Sequence, residues 1–401
     1  MGTLSDFTRN EFSPRSFIVF LTGLGISYLG DALFLVSLSA IVDRRYGTSA
    51  VVAIWAIKSG GSMLAYGLSG SFVQRSDKRR ALIITDVMRL VLVLAVGLTK
   101  SQYIVFVAVL FLSTIGSIYG SALNALMQHL TRGPHRGKYN AYFSISYWGG
   151  ELVGSGVAGF VVIEWGVRLP FFIDALTFVI AILATLRIFS NAPKLTSRTG
   201  RWEVLSHIVE GFKFIATNRL MKLMVAVNYL VNMAMAYLAS LQVVFVRTHL
   251  QASAAQYGVL VGLGSAGMLI SSWLVSFVYP KLGTQKSMSL GLLAAGLCIF
   301  LYGISPGILV ADISWFLSGL GFAGYDVAMM TALQNLIPEQ EFVGVRNATN
   351  FGGKAIAIIG IVFGGVLTVK LSVSSITVGC AVILAVVGVM LSLVKTDAEK
   401  L

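Results

Sequence analysis

Apolar residues run along this chain in long blocks separated by short polar breaks. Twelve blocks approach or exceed the ~20 residues a helix needs to cross a bilayer. They cover roughly 17–42, 50–74, 81–99, 103–128, 140–163, 168–190, 220–246, 257–279, 286–304, 308–333, 346–369 and 374–394. Pro14, Pro134, Pro170, Pro193, Pro280, Pro306 and Pro338 all fall at or near block ends, where helices tolerate proline. One connection is long, the basic and polar stretch 191–219. Within it Trp202, Leu205, Ile208, Val209, Phe212 and Ile215 recur at helical spacing, which predicts an amphipathic helix on the membrane surface. The pattern therefore predicts an all-α polytopic membrane protein: a six-helix half over 1–190, a linker over 191–219 and a second six-helix half over 220–401. The first block is too long for a signal-peptide core, so no cleavable leader is expected.

Composition agrees. Of 401 residues, 56% are hydrophobic and 12% charged, about half the ~25% charge of a soluble domain. A soluble enzyme and a disordered chain are both excluded. The net charge is +13, and topology accounts for it. With both termini inside, the outer breaks carry only Arg44, Arg45, Lys100, Arg168, Arg247 and Lys370. Lys58, Arg89 and Lys354 lie within blocks, and every other Lys and Arg is cytoplasmic. That asymmetry puts both termini on the cytoplasmic side of an inner membrane. Cys298 and Cys380 sit in apolar blocks and form neither a disulfide scaffold nor a zinc site. No cofactor, metal or nucleic acid is expected.

Two features point to transport. The segment 124–141 aligns with 331–348, each running from one block through an inner break into the next, as a parallel duplication would produce. Ionisable residues inside blocks are costly and mark function by default. Asp31, Lys58, Glu151, Asp326 and Lys354 lie well inside. Asp86, Arg89, Asp174 and Asp312 lie nearer block ends, where interfacial water satisfies them. Depth along the helices allows two ion pairs, Asp31 with Lys58 and Asp326 with Lys354. Glu151 has no local partner and is the candidate proton carrier. Polar stripes mark four blocks: Ser27 and Asp31 in the first; Ser113, Ser117, Ser121, Asn124 and Gln128 in the fourth; Asn228, Asn232 and Gln242 in the seventh; Ser318, Phe322, Tyr325 and Met329 beside Asp326 in the tenth. Such stripes face a wet cavity or a partner helix. Phe34, Tyr119 and Tyr237 are further contacts for an apolar ligand.

Several segments carry a resemblance: "GISYLGDALF" (25–34), "DVMR" (86–89), "ALNALMQHL" (122–130), "FFIDALTFVIA" (171–181), "EGFKFI" (210–215), "ASAAQYGVLVGLGSAG" (252–267) and "GVRNATNFGG" (344–353). In order, they resemble the major facilitator superfamily, and within it the macrolide-efflux and enterobactin-exporter-like branch. The resemblance implies two six-helix bundles whose helices 1, 4, 7 and 10 line a central cavity. It also implies an inner gate at the 2–3 loop, here Gly70 to Arg80, with Gln74 where the family carries an acid. Ser155 stands where antiporters often carry a proline in helix 5, and Gly150, Gly154, Gly156 and Gly159 permit close helix approach there.

The expected function is proton-coupled efflux of an amphipathic small molecule, a drug or siderophore-like metabolite, by a monomer in the lipid bilayer. A lipid or lysolipid flippase is the alternative, with a metal-ion exporter behind it. Expected substrate contacts are Asp31, Lys58, Asn124, Glu151, Asn228, Asn232, Tyr325 and Asp326, with Asp31 and Glu151 coupling protons. Gating falls to Gly70, Arg75, Arg79, Asp86, Arg89, Asp326 and Lys354. No catalytic constellation suggests an enzyme.

Overall fold

A computed structural model describes residues 14–75, 77–130, 136–187, 201–337 and 341–393. These form thirteen helices: α1 (Pro14–Tyr46), α2 (Thr48–Arg75), α3 (Lys78–Leu98), α4 (Gln102–Leu130), α5 (Arg136–Trp165), α6 (Leu169–Leu186), α7 (Arg201–Thr217), α8 (Arg219–Thr248), α9 (Ala254–Leu282), α10 (Thr284–Gly303), α11 (Ile308–Leu336), α12 (Phe342–Leu367) and α13 (Val373–Leu393). Local chemistry sets the breaks. Pro170 opens α6, where its missing N–H costs nothing. Asp77 caps α3 by accepting from Arg79 N and Arg80 N, and Asn218 caps α8 by accepting from Leu220 N and Met221 N. Gly47 and Gly283, at φ 79° and 75°, turn the chain in a single residue between α1 and α2 and between α9 and α10.

Eleven helices are long and apolar enough to cross a membrane. The other two are α7 and α5. At 30 residues α5 is ~45 Å long and easily spans, but Glu151, its serines and its glycines dilute its hydropathy. It tolerates them because α1 packs on one side and α9 on the other. Gly150 and Gly154 lie against the α1 backbone at Gly25 and Leu29, and Gly159 against Ala254 and Ala255 of α9. A side chain at any of the three would push the helices apart. A Cβ on Gly156 would meet nothing.

The helices pair in two matching sets. In the first, α1 packs on α5 and α6, α2 on α4, and α3 on α4 and α6. In the second, α8 packs on α12 and α13, α9 on α11, and α10 on α11 and α13. Adding seven to each label converts one set into the other, the relation expected of a duplicated bundle. The bundles meet through α5 on α9 and α2 on α12, which the same rule also exchanges. Apolar side chains such as Val91, Leu183, Leu297 and Met390 stay exposed on the outside, as lipid contact requires. α7 packs on α12 through Ile208, Gly211 and Ile215, leaving Val209 and Phe212 exposed as an amphipathic surface helix would.

The spanning helices alternate between two faces. One, the turn face, holds the short links between α1 and α2, α3 and α4, α5 and α6, α8 and α9, α10 and α11, and α12 and α13. The other, the terminal face, holds the start of α1, the end of α13 and α7.

Candidate substrate-binding site

Two adjoining cavities form the two lobes of the candidate site, the first lined by α1–α6 alone and the second by helices of both halves. The first lobe, about 450 Å³, is charged. Asp31, Lys58, Arg89, Glu151 and Asp174 line it, with Tyr28, Tyr119 and Tyr147. The second, about 430 Å³, is aromatic. Trp55, Trp148, Trp315 and Phe322 line it, with Asn228, Asn232, Tyr325 and Asp326. Glu151 and Leu35 border both.

Arg89 organises the charged lobe. It sits eleven residues into α3, ~16 Å from the helix start, and is 6% exposed. Its Nη2 donates to both carboxylate oxygens of Asp31 on α1. Its Nη1 donates to Asp86 Oδ1 at 3.2 Å. The guanidinium lies between two rings, 4.3 Å from the Phe178 centroid and 5.1 Å from that of Tyr119. A desolvated cation on an aromatic face gains about 2 kcal/mol. Asp174 of α6 is fully buried beside this group; Thr177 Oγ1 donates to its backbone carbonyl at 2.7 Å. Asp86 Oδ2, Asp174 Oδ2 and the Tyr119 hydroxyl have no hydrogen-bond partner among the described residues. Three carboxylates thus lie round one guanidinium, which hydrogen-bonds two of them, Asp31 and Asp86.

This corrects the depth-based pairing. Asp31 pairs with Arg89, not with Lys58. The ammonium of Lys58 stands 4.5 Å from the Trp55 ring centroid instead. Among the described residues, Asp326 and Lys354 form no ion pair within 4.0 Å. Arg346 is the charge acting on Asp326, and Lys354 lies within electrostatic range of Lys58 across α2 and α12. Asp86, Arg89 and Asp174 do not meet interfacial water either; they are buried against neighbouring helices.

In the aromatic lobe, Asn232 Nδ2 donates to Asn228 O at 2.8 Å and Asn228 Oδ1 at 3.0 Å, which holds both amides in place. Tyr325 lies beside Asn228. Asp326 is exposed on α11. Sequence reasoning missed the three tryptophans, although a signal existed. Each precedes a polar lining residue by three positions (Trp55 and Lys58, Trp148 and Glu151, Trp315 and Ser318), so each shares that residue's helix face.

The cavity is sealed at the turn face. Arg247 of α8 grips Asp43 of α1, Nε to Oδ2 at 2.5 Å and Nη2 to Oδ1 at 3.1 Å. Gly365 of α12 sits against Val52 of α2, and Gly258 and Gly262 of α9 against Ser155 and Leu152 of α5. The α8 segment Leu241–Val246 is buried throughout.

The family model described as Major Facilitator Superfamily matches residues 20–356 and, in a second match, 226–401. The chain belongs to the major facilitator superfamily. No curated protein matches it. Among solved structures, the nucleoside transporter NupG superposes with TM-score 0.77 at 12% identity, covering 95% of this chain and 100% of that one. A POT family transporter in complex with a thioalcohol-conjugated peptide gives TM-score 0.78 at 11% identity, covering 94% and 95%. A peptide transporter POT in complex with alafosfalin gives 0.72 at 13%, covering 94% and 93%. At these identities the likeness establishes the fold.

Of the four helices expected to line the cavity, α1 borders both lobes, α4 only the charged one, and α8 and α11 only the aromatic one, while α2 and α5 also border both. Asn124 of α4 is exposed and stands outside both lobes. Tyr237 faces away from the cavity, its hydroxyl donating to Val373 O at 3.2 Å. Of the expected gate residues, Arg79 ties α3 to the end of α6 by donating to Thr185 O at 3.2 Å and to Leu186 O. That link lies within one half. The side chain of Arg75 lies outside the described residues, and for Gly70 only its helical position on α2 is described.

Proposed function

We propose that this protein is a secondary active transporter that exports an amphipathic small molecule by alternating access, in exchange for protons. The observation that carries this reading is the two-lobed cavity, with charge on one side, tryptophans on the other and Glu151 at their junction. A substrate with a planar apolar body and a polar group fits both lobes at once. Trp148, Trp315 and Phe322 would hold the body, and Asn228, Asn232, Tyr325 and Asp326 its hydrogen-bonding groups. The rigid halves are assigned to 1–190 and 220–401, joined by 191–219, and rock about this site.

Proton coupling is assigned to Glu151 and to the carboxylates gathered round Arg89, Asp31 foremost. One guanidinium cannot neutralise three carboxylates in a low dielectric, so the group is suited to bind and release a proton as the halves rock. Lys58 is the internal cation that Glu151 meets when empty. The Asp43–Arg247 clasp is assigned as the latch of the closed turn face, the extracellular side under the Lys and Arg bias. The terminal face, with both termini, is assigned to the cytoplasm of an inner-membrane protein. The resemblance of the sequence segments to the macrolide-efflux-like branch is what supports export as the direction of transport.

Purified protein screened by thermal shift against drugs, siderophores and lysolipids would identify ligands. Transport of a hit into proteoliposomes, with and without a pH gradient, tests coupling. Acceleration by the gradient in wild type, lost in the Asp31→Asn Glu151→Gln double variant, is expected. Gradient-driven transport at the wild-type rate in that variant would refute the proton assignment.

A further inference from the structure

A second cavity lies outside the central one. It is a groove of about 540 Å³ between α1 and α5, lined by Ile18, Gly25, Leu29 and facing residues Ile145, Gly149 and Val153. Three observations define it. First, it opens away from the substrate cavity. Tyr147 and Glu151 face the charged lobe; Gly149 is two positions from each, ~200° round the helix. Ile18, Ile145 and Val153 are 45%, 55% and 49% exposed, and in a membrane-spanning pair of helices that outward face meets lipid. Second, it has the length of one leaflet. Its lining runs from residue 18 to 29 on α1 and from 142 to 153 on α5, eleven rises or ~16 Å on each, against ~15 Å for half a hydrocarbon core. It begins near the terminal face and ends at mid-membrane. Third, its width comes from missing side chains. A Cβ on Gly149 would meet nothing within 4 Å, so the space it faces is open. Its polar lining side chains are Thr22, Tyr142 and Ser146, and Ser146 Oγ donates to Tyr142 O at 3.0 Å.

We propose that this groove is a binding site for one acyl chain of a phospholipid in the terminal-face leaflet. The chain lies along α1 and α5, carboxyl end by Ile18 and Tyr142, methyl end by Leu29 and Val153. Its deep end abuts the α1–α5 contact that also carries Tyr28 and Tyr147 edge to face, ring centroids 4.6 Å apart. An occupant therefore touches the wall of the charged lobe from outside. The site follows from the membrane-spanning fold alone and stands whether or not efflux is the activity.

The test uses full-length protein in phosphatidylcholine liposomes doped with phospholipids bearing a photoreactive diazirine, near either the carboxyl or the methyl end of one chain. Adducts are mapped by mass spectrometry. The expected result is enrichment on 18–29 and 142–153 over equally exposed apolar residues Val87 and Val91 of α3 and Leu176 and Leu183 of α6. The two probes should label opposite ends of the groove. Gly149→Leu, which fills open space, should abolish the enrichment while thermal unfolding stays at the wild-type temperature. Val153→Phe fills the deep end and serves if Gly149→Leu does not fold. Even labelling of all three faces, or enrichment that survives a folded filling variant, would overturn the proposal. Disulfide-linked dimers from Gly149→Cys in liposomes would also overturn it, assigning the groove to a second copy of the chain.

Discussion

Replacing Arg89 with methionine tests the organisation of the charged lobe. The substitution keeps most of the side-chain volume and removes the guanidinium. Asp31 loses two charged hydrogen bonds and Asp86 one, and Asp174 loses the cation acting on it. Removing one partner of a buried pair costs about 3–5 kcal/mol. Loss of the cation between Phe178 and Tyr119 adds about 1–2 kcal/mol. Asp31 is 36% exposed to the cavity and keeps part of its hydration, which places the expectation near the lower end, about 4 kcal/mol. Thermal unfolding of detergent-purified protein, read by tryptophan fluorescence, should show a large drop for Arg89→Met. Arg168→Met, which removes an exposed loop arginine, should show none. The sharper readout is the cycle with Asp31→Asn. Removing both charges leaves fewer stranded groups, so the double variant should unfold above Arg89→Met. A coupling below about 0.5 kcal/mol, the ordinary additivity error for independent sites, would refute the pairing.

Other expectations follow from the same geometry. Asp43→Ala or Arg247→Ala opens the turn-face clasp; a cysteine placed at Ser39, buried behind it, should then react faster with a membrane-impermeant maleimide, and an unchanged rate would argue against the clasp. Trp315→Phe and Trp148→Phe should each weaken ligand affinity by a few-fold to about tenfold, as lost aromatic contacts of about 0.5–1.5 kcal/mol imply, measured by calorimetry; unchanged affinity in both would argue against the aromatic lobe. Gly159→Val places a side chain against the α9 backbone and should cost about 1–3 kcal/mol and abolish closure of α5 on α9; wild-type transport in liposomes would contradict that.

Much was legible along the chain. The apolar blocks gave the spanning helices, because a bilayer demands a fixed length of apolar chain. The glycines of the fifth block marked a close-packed helix, and α5 is the spanning helix held between α1 and α9. The segments resembling the superfamily anticipated the family and the paired bundles. Of the charges inside the blocks, Asp31, Lys58 and Glu151 all line the charged lobe.

What the sequence could not decide was direction around each helix. Depth grows linearly with residue number, so Lys58 and Arg89 were both within reach of Asp31. The choice belongs to azimuth, and azimuth depends on how tilted helices pack. α6 packs on both α1 and α3, and its Phe178 and Asp174 bring Arg89 onto Asp31, while Lys58 turns toward Trp55. The same holds for the tryptophans, which come from three helices and meet only once the halves close. Sequence alone determined that this protein spans a membrane and that charges lie within its spanning blocks. Only tertiary packing decided which charges meet, because pairing in a bundle is a property of facing surfaces rather than of distance along the chain.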